Sequence, residues 1–364
     1  MPDSRLLVEL DGDRLSDEDL RSLVEVQIEE SLDVADAATL VGTLDADPTG
    51  EWVSVLDPLL TPSTPVVVQV SRSDTAYRFE GRSTEASWTF EPETASRLSV
   101  SAVDRTLELD LEEKVVAWPG SSDSAIAETI FSSYGFSADV ESTPDGPDPD
   151  VHVVLQRGSD IGFLRALAAK WGYIAFLEAA EPRVIGHFHS IDPLAEPQAE
   201  LSLGFGADAQ HVSASANLVE GHEVKVARIP ALSDSAQTAD SDGEGQAQGA
   251  HTLGGRATML LTPDDVSGEI DPTSTAQALA RRSAFAVQLT VEIDADRVGL
   301  LLRARKPVLV GGLGSTLSGR WLVQRVRHVV TLESHRQHVT LVRNAFGLSG
   351  DEPFGSSGGI AGLL

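Results

Sequence analysis

Two stretches of this chain follow the same pattern, and together they limit what the rest can be. The first runs Ser122-Asp123-Ser124-Ala125-Ile126-Ala127-Glu128-Thr129-Ile130-Phe131 and closes on Tyr134-Gly135. The second runs Ser159-Asp160-Ile161-Gly162-Phe163-Leu164-Arg165-Ala166-Leu167-Ala168 and closes on Trp171-Gly172. Each opens on a Ser-Asp pair, whose oxygens accept hydrogen bonds from the free amides of a first helical turn. Ile126, Ala127, Ile130 and Phe131 then share one helix face, as do Phe163, Leu164, Leu167 and Ala168. Each ends on a glycine, the residue that most readily takes the left-handed conformation of a helix stop. Tyr173 to Leu177 follows as a β-branched and aromatic strand. The pattern predicts two short helices with strands packed against them, a module over residues 108–206, with Arg183 to Phe188 and Glu200 to Phe205 as strands on its far side.

On either side the period changes from helical to two. Residues 5–10 alternate weakly, Val24 to Glu29, Tyr77 to Gly81 and Glu85 to Phe90 alternate apolar and polar side chains, and the apolar run Val66 to Val70 and Leu98 to Val103 complete the set of strands. Asp36 to Leu40 reads as a short helical or bulged link. Many short strands separated by turn residues predict a closed antiparallel barrel or sandwich over residues 1–107. Strand signals return at Val212 to Asn217, Glu223 to Ile229, Gln288 to Ile293, Val308 to Val310, Trp321 to Val330 and His338 to Val342. They predict a second barrel over 207–231 and 288–347. Residues 232–287 interrupt it: a flexible loop, 232–255, too poor in large apolar side chains to offset its ordering entropy, then a helix over 273–287 with Pro272 near its start. Residues 142–150 are a loop, and the Gly/Ser-rich tail 348–364 is flexible. The expected class is mainly β (α+β): two antiparallel β-barrels with an intervening helix-strand module.

Composition excludes several functions. The 364 residues carry 56 acidic against 27 basic side chains, a net charge of −29, and lysine occurs only at positions 114, 170, 225 and 306. A phosphate backbone needs a basic footprint, so no nucleic-acid partner is expected. Cysteine is absent, which removes disulfides and thiol chemistry. No apolar run approaches the ~20 residues that span a bilayer, and the N-terminus lacks a signal-peptide pattern, so synthesis in the cytoplasm without membrane insertion is expected. The acidity reads as solubility in a salt-rich setting, or as a surface or channel lining that repels anions.

The module also carries a resemblance. Asp104-Arg105-Thr106-Leu107-Glu108-Leu109, Lys114, Trp118 and the two helical phrases are similar, in order, to the hub proteins of contractile phage tails, the family called phage late control protein D. That family includes the hub part of the valine-glycine-repeat proteins of type VI secretion and the hubs of extracellular contractile injection systems. Arg305 to Val310, Ser318 to His328 and Leu341 to Gly347 resemble the end of its second barrel, so the resemblance covers about residues 5 to 347. It implies a structural, non-enzymatic hub whose two barrels resemble the tail-tube subunit. Three copies would form a ring between a trimeric spike protein and a hexameric tail-tube protein, beside baseplate wedge components. The setting would be a virion or an injection particle assembled in the cytoplasm, including particles released outside the cell. No spike domain follows Gly347, so the spike would be a separate chain. Phe354, Ile360, Leu363 and Leu364, the large apolar residues of the tail, are the expected partner-binding anchors.

Other candidate sites are weaker. His187-x-His189 places two imidazoles on one side of a strand, with Asp192 or His211 as a third metal ligand, but no spacing fixes such a site and the pair reads as surface histidines. His328, His335 and His338 form a second group with the same reading. Gly311-Gly312-Leu313-Gly314-Ser315 lacks the Lys-Ser/Thr ending of a phosphate loop and reads as a turn. Glu112-Glu113, flanked by Asp110 and Lys114, reads as a solvated turn. No catalytic residue, metal or cofactor is expected. The alternative, a tail-tip enzyme or carbohydrate-binding module of the cell-wall hydrolase class, would need a convergent acid/base pair or metal site in one pocket.

Overall fold

In the computed structural model, the structure describes residues 4–72, 75–91, 95–203, 209–219, 223–228, 237–241, 246–252, 258–261, 272–350 and 352. It is mostly β, with large antiparallel sheets. Its frame is one 13-stranded sheet. The path runs through Ala209–Ala216, Val287–Asp294, His335–Arg343 and Gly319–Val330, then crosses to Leu23–Ser31. It continues through Ala37–Thr43, Arg97–Asp104, Thr75–Thr89, Pro65–Arg72 and Arg5–Leu10 to Asp13–Arg14. Pro307–Gly311 branches from Gly319–Val330 and carries Glu200–Ser202 on its other side.

The sequence predicts two barrels, and both strand-rich halves are present, each with its own apolar core. Val8, Val26, Ile28, Leu40, Val68, Phe79 and Val100 centre the first; Leu289, Val291, Val308, Trp321, Val323 and Leu341 centre the second. The periodicity does not announce that a main-chain ladder joins the halves. Val326 to Val330 pair antiparallel with Glu30 to Val26. The strand Gly319–Val330 changes partner along its length: Gly319 to Leu322 pair with Pro307–Gly311, and Arg325 to Val330 pair with Leu23–Ser31. Its register shifts between Val323 and Arg325, where an extra residue increases the local twist and re-aims the strand.

The module matches its sequence pattern closely. Helix α1 is Asp123–Ser133, with Ser122 Oγ accepting from Ala125 N–H at 3.2 Å. Helix α2 is Asp160–Trp171, with Ser159 Oγ accepting from Gly162 N–H at 3.3 Å, and Gly172 stops it in the left-handed region. Their faces bury Ile126, Ile130, Phe131, Leu164 and Leu167 against Ile174–Glu178 and Ile185–His189, which pair antiparallel. Phe131 lies flat on Gly186: a Cβ there would meet the ring at 2.4 Å, so only glycine lets the helix approach. Glu113–Trp118 and Val154–Ser159 form a two-stranded antiparallel ribbon.

Several expectations need correction. Glu200–Ser202 pairs with Pro307–Gly311 and puts Leu201 into the second half's core rather than lying on the far side of the module. Glu223–Arg228 pairs with Gln237–Ser241 and Thr258–Leu261 in a separate three-stranded sheet rather than in the second barrel. Ala37–Thr43 is a strand rather than a helical or bulged link, because its alternate side chains Ala38 and Leu40 enter the first core and ladders hold it on both sides. Within the polar stretch 232–255, residues 237–241 pair with Glu223–Arg228, and His251 and Thr252 pair with Phe346 and Ala345. Gln248 is fully buried there. Main-chain and side-chain hydrogen bonds, which composition does not report, hold these segments. Helix α3, Pro272–Ser283, is present but stops short of the expected end at 287, where the strand Val287–Asp294 begins. Phe354, Ile360, Leu363 and Leu364 lie outside the described residues.

Candidate functional site

Strand parity places charge where apolar residues belong. Val26, Ile28 and Glu30 share the inward face of Leu23–Ser31, and Val100, Ala102 and Asp104 share that of Arg97–Asp104. Glu30 is fully buried and Asp104 nearly so. A buried carboxylate needs donors or a counter-ion. The second half supplies both from Arg303-Ala304-Arg305. Arg303 donates through Nε to Glu30 Oε1 at 2.6 Å and through Nη2 to Glu178 Oε1 at 3.1 Å, while Ala304 N–H donates to Glu30 Oε2 at 2.9 Å. Arg305 donates through Nη2 to Asp36 Oδ1 at 2.7 Å. The Asp36 amide donates to Asp104 Oδ2 at 3.0 Å, and the Thr106 amide to Asp104 Oδ1 at 2.9 Å. The two guanidinium groups lie over aromatic faces, Arg303 on Tyr77 at 4.5 Å and Arg305 on Phe176 at 4.1 Å.

This junction joins all three parts of the fold. Glu30, Asp36, Tyr77 and Asp104 belong to the first half, Phe176 and Glu178 to the module, and Arg303 and Arg305 to the second half. Burial, then the neighbouring Asp36 charge, pushes the Asp104 carboxyl up to about 6. Burial also raises Asp36, with Arg305 pulling the other way. The His187 ring, and then the Arg303 charge acting against burial, hold Glu178 down at about 2. Three carboxylates, Glu30, Asp36 and Glu178, face two guanidinium groups and fix the three parts in one arrangement, while Asp104 accepts main-chain amides beside them. Linear spacing gives no warning of the junction, but parity does: a charged residue on the apolar side of an alternating strand asks for a partner.

The histidines separate into three environments. His187 and His189 share a face of Ile185–His189, and the parallel strand Ser137–Val140 sets Asp139 directly beside His187. His187 Nδ1 lies 3.0 Å from Asp139 Oδ2 and 3.2 Å from His189 Nε2. Among the described residues, Asp139, His187 and His189 converge as a group; Asp192 and His211 do not join it. Asp192 instead caps a turn at Leu194, and His211 sits on the exposed strand Ala209–Ala216. His328 and His335 meet in the interior, Nδ1 to Nε2 at 3.1 Å, with Ser4 Oγ 2.9 Å from His335 Nδ1. Burial holds His335 down at about 4 and pushes His328 well below its ordinary range. His338 lies apart, 4.0 Å from Glu292.

The remaining candidates are structural in their contacts. Lys114, beside Glu112-Glu113, donates to Asp160 Oδ2 at 2.7 Å, and Tyr134 OH donates to the same oxygen at 2.6 Å, pinning the ribbon to helix α2. In the Gly-rich segment, Gly312 and Gly314 take positive φ and turn the chain after Pro307–Gly311. Arg343, fully buried, donates to the carbonyls of Leu317, Ser318, Gln248 and Gly347. A cleft of about 680 Å³ opens between helix α2 and helix α3. Its described charged lining is Asp33, Asp192, Arg281 and Arg282, of which Arg282 and Asp33 pair at 3.2 Å.

Comparison with solved structures matches this architecture over nearly the whole chain. A tail protein from Neisseria meningitidis superposes with a TM-score of 0.62 at 12% identity, covering 94% of this chain and 96% of the other. The 43 kDa tail protein of prophage MuSo2 from Shewanella oneidensis gives a TM-score of 0.65 at 12% identity, covering 94% and 99%. An E. coli component of the type VI secretion system, described as similar in structure to the T4 tail proteins gp27 and gp5, gives 0.57 at 11% identity over 92% and 76%. No curated protein sequence matches the chain. A family model does, over residues 4–248, under the description Alg8 N-terminal domain. That is not the family name the motifs resemble, while the solved structures come from the same class of tail and secretion proteins. The chain thus has the fold of these tail proteins, and by its sequence it belongs to the Alg8 N-terminal domain family.

Proposed function

We propose that this chain is a structural hub of a phage-tail-like contractile injection machine, and that three copies form a ring joining a spike to a tail tube. The observation that carries the proposal is the likeness to tail proteins across the entire fold, 94% of this chain against 96–99% of theirs. The internal design agrees with it. Two strand-rich halves in one chain let three chains present six similar units, which suits a junction between threefold and sixfold partners. The ladder from Val26 to Val330 and the Arg303–Arg305 junction keep those units from moving independently, as a force-bearing part requires.

Partner surfaces follow from exposed apolar side chains, which mark interaction sites when they gather. Trp52, Val53, Trp88 and Phe90 are exposed together on the first half, with the Trp52 and Phe90 rings 5.2 Å apart. Val115 and Leu155 are exposed on the two-stranded ribbon. The strand Ala209–Ala216 ends the 13-stranded sheet and offers its main chain to another strand. We assign the tube to these edges and the spike to the tail anchors Phe354, Ile360, Leu363 and Leu364. Part of the −29 charge lines the lumen and repels anions. Assembly takes place in the cytoplasm, and the chain acts by holding partners rather than by catalysis. Co-expression with the spike and tube proteins of the same gene cluster tests this: the hub should retain both through separate surfaces, and retention of neither would refute it.

A further inference from the structure

We propose that Asp139, His187 and His189 bind one divalent first-row metal ion of the zinc class. The three ligand atoms form a nearly closed triangle: His187 Nδ1 to Asp139 Oδ2 is 3.0 Å, His187 Nδ1 to His189 Nε2 is 3.2 Å, and His189 Nε2 to Asp139 Oδ2 is 3.9 Å. The point equidistant from three such corners lies about 2.0 Å from each, the bond length of zinc to imidazole nitrogen and carboxylate oxygen.

The surroundings set both rings as ligands. Ser190 O lies 2.7 Å from His189 Nδ1, so Nδ1 carries the proton and Nε2 presents its lone pair to the triangle. Glu141 Oε2 holds Ser190 in place, accepting from its amide at 2.9 Å and its hydroxyl at 2.7 Å. Glu178 Oε2 lies 3.3 Å from His187 Nε2, off the line of a straight hydrogen bond yet near enough to favour a proton on that nitrogen. His187 Nδ1 then also turns a lone pair inward. Phe176 stacks on the His187 ring at 4.5 Å and fixes its plane. Three acceptors facing one point repel each other unless a cation or a proton sits between them. Outer partners that orient ligating histidines in this way characterise metal sites. Two imidazoles and one carboxylate suit zinc, and the exposed Asp139 leaves a fourth position toward solvent. The ion would tie the strand Ser137–Val140 to Ile185–His189, next to the Glu178–Arg303 contact that docks the module on the second half.

The competing arrangement is an imidazolium at His187 between Asp139 and Glu178, which needs no metal. Calorimetric titration of zinc into the full chain after chelator treatment, with cobalt(II) absorbance as a second readout, separates the two. The proposal expects saturation at one ion per chain and the visible absorption of four-coordinate cobalt. It expects loss of that binding in His189→Gln, strong weakening in Asp139→Asn, and weakening of roughly 10–100-fold in Glu141→Gln. Asp139 is exposed and His189 half-buried, so these variants fold. Their metal-free melting temperatures should match wild type, and zinc should raise the melting temperature of wild type and leave that of His189→Gln unchanged. No saturable uptake, or uptake unchanged in His189→Gln, would overturn the site.

Discussion

Arg303→Met removes the cation that joins the three parts of the fold while keeping much of the side-chain volume. The Glu30 side chain is 1% exposed and its Oε1 receives the Arg303 Nε proton at 2.6 Å, so the variant leaves a buried carboxylate with the Ala304 amide as its remaining donor. Breaking a buried pair from one side costs roughly 3–5 kcal/mol. The contact to the partly exposed Glu178 adds at most about 1 kcal/mol, and the stack on Tyr77 a similar amount. A loss of about 3–7 kcal/mol is therefore expected. Glu30→Gln in the same chain removes the stranded charge and keeps an acceptor for the Ala304 amide, so the double variant should recover about 2 kcal/mol relative to Arg303→Met. Urea unfolding followed by tryptophan fluorescence measures all four members of the cycle. An Arg303→Met variant within about 1 kcal/mol of wild type, or a double variant no more stable than the single one, would refute the idea that this junction holds the parts together.

The buried histidine pair makes stability depend on pH. The folded pKa of His335, about 4, lies below its ordinary 6.5, so the unfolded chain takes up a proton that the folded chain refuses as pH falls between those values. That costs on the order of 3 kcal/mol by pH 4 and nothing above pH 6.5. His335→Gln should flatten the fall in unfolding midpoint over this window, and an unchanged profile would count against it. Gly249→Ala tests whether segment 246–252 is packed: the new Cβ meets Gly347 O at 2.5 Å and Phe346 O at 2.6 Å, so a loss of roughly 1–3 kcal/mol should appear in chemical unfolding. Removing residues 353–364 spares Gly347, whose amide donates to Thr316 O and whose carbonyl accepts from Arg343. That truncation should keep the unfolding midpoint and lower spike retention in a pull-down; equal retention would reverse the assignment of faces.

Local chemistry made the helices legible. Ser122, Ser159 and Gly172 are capping residues whose preference acts within one turn, and each takes the expected role. Most strands followed from alternation for the same reason. What escaped was non-local. The pairing of Val26 with Val330 spans the chain, and no period within either strand encodes it. Segment 246–252 is polar in composition, yet Gln248 accepts from the Asn344 amide at 3.1 Å and gives its carbonyl to Arg343. The His187-x-His189 spacing was visible, whereas its neighbour Asp139 arrives through a parallel pairing 48 residues away in sequence. Glu30 and Asp104 were legible in principle, since strand parity alone sets them on the apolar face.

The central claim is a threefold hub. Light scattering coupled to size-exclusion chromatography, on the chain co-purified with its spike protein, measures that directly. The account predicts three copies of this chain for each trimeric spike. A complex holding one or two copies of the chain would contradict it.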